Sequence, residues 1–379
     1  MTRNAPAAPL QSLLDVFSEL KDPRVARTRA HPLVNILTMS LFGALAGADG
    51  WDALAHYAEI HQESFAEFLD MPHGPPSADT FRRVFEALDP QAFQQAFRSW
   101  LEPILGQLHG RTVAIDGKTL RGALAHARAR RGPFHLLHVW ATEQRLLLAQ
   151  SAVETAGHES SAAIELLSGL QLRGATVTAD AASCTAEVTR AIRDRGAHYV
   201  LALKGNQGKL HDHVVQAFDA APRIDATPAV ESDEGHGRVE RRVVRAMRLR
   251  KLPREIRAPW SDLKSIVEVV RIRGAKQLSV TRAFYITSLP PKAARIARCI
   301  RDHWKIENEL HYVLDVTFGE DRRTIRSEYG AQNFALVCRH ALSLIKRDPR
   351  KLSVAMKRRR AMWSPRPAVE LLTHGFDET

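Results

Sequence analysis

Three acidic residues stand where a divalent cation could be held. Asp116 closes the apolar run Thr112-Val-Ala-Ile and is followed at once by Gly117; Asp180 closes a second run, Ala175-Thr-Val-Thr-Ala, and is followed by two alanines. A carboxylate closing an apolar strand sits at the rim of a sheet, where a site is assembled from separate strands. Glu307 falls at helical spacing with Ile300, Trp304, His311 and Leu314. On that mainly apolar face a carboxylate is costly to bury unless it is paired or bound to metal. Singly, each aspartate is also an ordinary strand stop, and Glu307 an ordinary partner for an arginine. Together, two strand-end aspartates and one helical glutamate offer the hard oxygen ligands that Mg²⁺ prefers, with Mn²⁺ as substitute. Two such ions about 3.5–4 Å apart suit phosphodiester displacement, by water or by a DNA 3′-hydroxyl. Asp315, one residue beyond the Glu307 stripe, and Glu320 and Asp321, beyond the helix, are rival ligands.

Basic and amide side chains follow these acids closely. Lys118 and Arg121, then Arg128, Arg130 and Arg131, come after the first; Lys204, Asn206 and Gln207 come after a later strand; His236, Arg238, Arg241 and Arg242 lie further on, and His303 precedes Glu307. Placed near the acids, they would hold phosphates and lower the acids' pKa values; each alone could be a solvated surface group. The formal charge of +12, from 54 Lys and Arg against 42 Asp and Glu, favours a polyanionic partner.

The elements that must position these residues are read from periodicity. Residues 1–105 read as all-helical, with Leu10, Leu13, Leu14, Phe17 and Leu20 at three- and four-residue steps, a second helix after Pro32 and a third opening at Ser77. This part is either a packing module or a holder of DNA ends. From Gly110 the period changes: short strands at Thr112–Asp116, His135–Ala141 and Arg145–Ala152 precede strands alternating with helices, which implies a mixed α/β sheet over 106–207 that resumes at 291–346. Residues 208–290 read as a β-rich insertion, and 347–379 as a basic tail. Between Lys346 and Arg360 eight basic residues meet one acid, a solvated or nucleic-acid-facing composition. Cys184, Cys299 and Cys338 lack any metal-ligand spacing, so neither a disulfide framework nor structural zinc is expected. With no signal-like start and no uninterrupted apolar span, the expectation is a cytoplasmic protein without a membrane segment.

The order of these strings resembles the H-repeat-associated insertion-sequence transposases, within the wider DDE transposases. The likeness rests on Asp22-Pro-Arg24, Ala114-Ile-Asp-Gly-Lys-Thr-Leu-Arg-Gly122, Val177-Thr-Ala-Asp-Ala181, Ala202-Leu-Lys-Gly-Asn-Gln207, Gly235-His-Gly-Arg-Val-Glu240, His303-Trp-Lys-Ile-Glu-Asn-Glu-Leu-His311 and Leu314-Asp-Val-Thr-Phe-Gly-Glu-Asp321. It implies an RNase H-like core with a β-rich insertion between the second Asp and the Glu, behind a helical N-terminal domain. It further implies Mg²⁺-dependent strand cleavage and transfer, with Asp116, Asp180 and Glu307 as the family's three acids. Double-stranded DNA, as element ends and target, is the implied partner, and a homodimer the implied working form. Of the Tyr-x-x-Arg-x-x-x-Glu signature that many related enzymes carry, with a Lys further on, only Glu307 is present; Ile300, His303 and Leu314 occupy the other positions. A DNA-binding descendant without activity, and a metal nuclease without transposition, are the alternative readings.

Overall fold

The computed structural model describes residues 7–122, 134–153, 158–221, 228–235, 238–249, 252–274 and 279–376. Among these, nine strands form one sheet in the order β3-β2-β1-β4-β5-β9-β8-β7-β6. Strands β1 (Thr112–Leu120), β2 (Phe134–Ala141) and β3 (Leu146–Val153) are antiparallel neighbours, and β4 (Thr176–Ala179) and β5 (His198–Leu203) are added in parallel beside β1. Parallel neighbours require crossovers. The helices α7 (Glu159–Ser168) and α8 (Ala186–Asp194) occupy the links that lead to β4 and β5. Three antiparallel strands followed by two parallel ones, in the order 3-2-1-4-5, are the RNase H-like arrangement. The core strands read as unbroken apolar runs because their residues are covered on both faces; all of β4 is buried.

Residues 208–290 do not form a separate sheet. Strand β9 (Ser279–Thr287) pairs antiparallel with β5, and β8 (Ser265–Gly274), β7 (Arg238–Arg248) and β6 (Ala229–Gly235) continue outward from it. Two helices, α9 (Gly208–Asp219) and α10 (Arg254–Arg257), also fall in this stretch.

The first six helices are α1 (Ala8–Ser18), α2 (Leu33–Ala46), α3 (Trp51–Ile60), α4 (Gln62–Ala66), α5 (Ala78–Ala87) and α6 (Pro90–Leu105). Every residue of α2 except Val34 is buried. That enclosure needs partners from the other end of the chain: α13 (Glu328–Arg347) and α14 (Val354–Trp363) pack on α2, and α15 (Pro365–His374) packs on α1 and α2. The stretch expected as a basic tail therefore contributes two docked helices; Lys357 and Arg358 in it are buried, while Lys351, Arg359 and Arg366 are exposed. Lys357 Nζ donates to the carbonyls of Ile345 and Asp348 at 3.1 and 2.7 Å, at the C-terminal end of α13 where positive charge is favoured. The buried Arg358 guanidinium lies 3.8 Å from the Phe318 ring centroid. No single helix among the described residues is long and apolar enough to cross a membrane.

Helix starts follow the capping residues. Ser77 Oγ accepts from the Thr80 N–H, and the Asp89 carboxylate accepts from the N–H groups of Gln91 and Ala92, with Pro90 at the first helical position. Asp89→Ala should cost about 1 kcal/mol. Denaturant unfolding monitored by far-ultraviolet circular dichroism checks this; an unchanged midpoint would contradict the cap.

Candidate active site

Asp116 does not end its strand. β1 runs on to Leu120 because β2 pairs with it along its whole length, from Val113↔Ala141 to Leu120↔Phe134. Gly117 keeps the strand continuous where the His135 imidazole crosses over it: a Cβ there would strike His135 Nε2. Asp180 stands one residue beyond β4, and its Oδ1 accepts from the N–H groups of Ala182 and Ser183 at 2.9 and 3.4 Å. Glu307 comes from the far end of the chain. The helix α11 (Ala293–Lys305) continues into a π-helical turn, Ile306–His311, and then into α12 (Tyr312–Val316). The wide turn holds both Glu307 and His311, and such turns recur at functional sites.

Asp116, Asp180 and Glu307 line one cavity of about 640 Å³. At its wall, ligand atoms of Asp116, Glu307 and the buried His311 lie within 4.8 Å of one another. His311 Nδ1 is 3.4 Å from Asp116 Oδ2 and 3.6 Å from Glu307 Oε2. Burial raises the Asp116 pKa above the ordinary carboxylate value despite the imidazole beside it. Burial, then the charges of Glu159 and Asp116, raise Asp180 as well. The more exposed Glu307 is held down to about 2, chiefly by His311. Asp116 Oδ2 is buried without a hydrogen-bond partner. An orphaned carboxylate oxygen among further acids is the donor set a hard divalent cation accepts.

The rival acids are occupied. Asp315 Oδ1 is 2.6 Å from Lys118 Nζ, Glu320 Oε1 is 2.7 Å from the buried Arg339, and Asp321 accepts from the backbone N–H of Arg121 at 3.4 Å.

Residues 108–344 match the family model of the transposase DDE domain, and residues 14–101 match that of the domain associated with it. The chain belongs to the DDE transposase family. It is 32% identical over 361 residues to "Putative transposase YncI" of Escherichia coli O157:H7, covering 93% of this chain and 91% of that one. It is 30% identical over 351 residues to "H repeat-associated putative transposase YhhI" of Escherichia coli K12, with 89% and 91% covered. The solved synaptic complex of piggyBac transposase with hairpin DNA aligns over 95% of this chain and 80% of its own at 10% identity and a TM-score of 0.45, a likeness too loose to carry an argument.

In this transposase the basic and amide candidates fall into distinct settings. Lys204 is exposed and lines the cavity; Arg121 is exposed beside Asp321. Lys118 is buried against Asp315 instead of facing outward. Asn206 and Gln207 spend their amide N–H groups on the carbonyls of Ala181 and Cys184, at 2.6 and 2.8 Å, tying the loop after β5 to the loop that carries Asp180. His303 faces Thr178 Oγ1 at 3.1 Å, and burial pushes its pKa down to about 4, so it is neutral at pH 7. Arg241 is exposed, and Arg242 lies 2.6 Å from Glu240. His236, Arg128, Arg130 and Arg131, and the side chain of Arg238, lie outside the described residues.

Sequence reasoning missed His311, which faces Asp116 and Glu307, and two arginines that line the cavity. His311, four residues after Glu307 on the same stripe, carried a legible signal in that spacing. Arg271 and Arg282, on β8 and β9, carried none, because only the pairing of β9 with β5 brings them to the acids.

Proposed function

We propose that this transposase cleaves DNA strands at the ends of an insertion sequence and transfers them to a target, using Mg²⁺ or Mn²⁺ held by Asp116, Asp180 and Glu307. The observation that carries the reading is the meeting of these acids in one cavity, with a buried Asp116 oxygen left without a hydrogen-bond partner. When bound, a pair of such ions activates the attacking oxygen and stabilises the leaving one. The chain supplies the rest. Asp116 and Asp180 are fixed by the sheet and its adjoining turn, and Glu307 by the π-helical turn, so the acids need little rearrangement to converge. Lys204 and Arg271 line the same cavity and hold phosphate oxygens beside the acids, while Arg282 beside them is paired with Glu268 and Asp219. Arg271 also lies 5.0 Å from the Trp304 ring centroid, which keeps its guanidinium over the cavity. Two element ends must be joined, so the working form is a homodimer on double-stranded DNA.

Purified protein, given a duplex bearing the inverted repeats that flank its gene, should nick or cut at the repeat ends with Mg²⁺ or Mn²⁺ and fail to do so with chelator. Binding of the ends without cutting would favour a descendant that keeps the fold and not the reaction. Cutting without end preference or strand transfer would favour a nuclease.

A further inference from the structure

Behind the acids runs a buried chain of polar side chains that the proposed chemistry does not use. Arg339 donates to Glu320 through its two terminal guanidinium nitrogens, at 2.7 and 3.2 Å. Arg339 Nε donates to His138 Nε2 at 2.8 Å, and His138 Nδ1 lies 3.3 Å from His311 Nε2. Arg339 and His138 are wholly buried, and Glu320 and His311 are 3% and 4% exposed. The sheet register puts His138 directly opposite Asp116, on the same face.

The direction of this chain is set at its far end. A guanidinium only donates, so His138 Nε2 must accept and the His138 proton must sit on Nδ1. His138 Nδ1–H can then only donate, so His311 Nε2 must accept. The single proton left to His311 is on Nδ1, the nitrogen that faces Asp116 and Glu307. Asp116 and Glu307 draw a proton to the side of His311 that faces them, and a second proton on Nε2 would meet the His138 Nδ1–H already there.

We propose that Arg339 and His138 are positioning residues: through a one-way chain of hydrogen bonds they fix the His311 proton on Nδ1, so that His311 turns an N–H, and no lone pair, to Asp116 and Glu307 and stays outside the ligand set of the divalent cation. The cation is then held by carboxylate oxygens alone, and His311 sets their orientation as an outer partner does. This rests on the metal site proposed above, but the tautomer can be read without metal.

In full-length protein labelled with nitrogen-15 at histidine, the signals lost in His311→Asn and in His138→Gln should each report a protonated Nδ1 and a bare Nε2. A His311 that is protonated at Nε2, alone or with Nδ1, overturns the proposal. With Mn²⁺ added, pulsed electron paramagnetic resonance should show no coordinated nitrogen assignable to His311. A coupling lost in His311→Asn overturns it too. Glutamine at 138 keeps an acceptor and a donor in sequence, whereas phenylalanine keeps the ring and loses both. Calorimetric Mn²⁺ affinity should stay near wild type in His138→Gln and fall about ten-fold or more in His138→Phe. The reverse ranking, expected of a packing role, overturns the positioning claim. If wild type binds no Mn²⁺ at all, the metal site fails while the nitrogen spectra still decide the tautomer.

Discussion

Asp116→Asn should remove strand cleavage, by at least about a thousand-fold, in a protein no less stable than the parent. The size follows from metal catalysis, in which cation stabilisation of the transition state supplies several kcal/mol and each 1.36 kcal/mol is a factor of ten. The stability half follows from burial. Asp116 has a raised pKa in the folded chain, so its charged form is disfavoured by folding at neutral pH, and an amide of the same shape relieves that cost. Added Mn²⁺ should raise the melting temperature of the parent by mass action and leave that of the variant unchanged. Binding to a labelled element end should persist, because phosphate contacts come from other side chains. Residual cutting within ten-fold of the parent would remove Asp116 from the metal site. A large fall in melting temperature would mean that the lost activity reports unfolding.

Arg339→Met should cost about 3–5 kcal/mol of folding stability, the usual penalty for stranding one partner of a buried ion pair. Here the stranded partner is Glu320, at 3% exposure, and His138 loses its donor as well. Urea unfolding with unchanged slope and a lowered midpoint is the expected record, and a loss under 1 kcal/mol would show that the pair stabilises little. The same pair sets an acid limit. Burial alone would lift the Glu320 carboxyl above 4.5, but Arg339 and Arg323 hold it below that value. A carboxyl depressed in the folded state contributes stability that is complete above its unfolded pKa. The contribution is lost as pH falls from about 4.5 through the lower folded value. The variant should therefore show a weaker loss of stability than the parent over that acid range.

Much of this architecture is legible in the residues themselves. The apolar runs ending near Asp116 and Asp180, the Ser77 cap and the late helices all carry local signals that the fold obeys. What the chain does not announce is pairing at long range. Asp116 reads as a strand end because Gly117 follows it, yet β2 carries the strand on to Leu120. Asn206 and Gln207 read as phosphate contacts by composition, while their partners are carbonyls 25 and 23 residues away. The basic run after Lys346 reads as solvated; the carbonyls of Ile345 and Asp348 with the Asp348 carboxylate account for the burial of Lys357, and the Phe318 ring with the carbonyls of Thr317 and Ala44 for that of Arg358.

The enclosure of α2 bears on how the molecule is made. The helix α2 is apolar on nearly every side, and three of the helices that cover it, α13 through α15, are translated about three hundred residues after it. Until they follow, the nascent chain carries a half-covered apolar rod, the kind of surface that recruits chaperones or clumps with its neighbours. A premature stop after Arg347 would keep α13 but remove α14 and α15, leaving part of α2 uncovered, so truncated products should be cleared or deposited instead of accumulating as competitors for DNA.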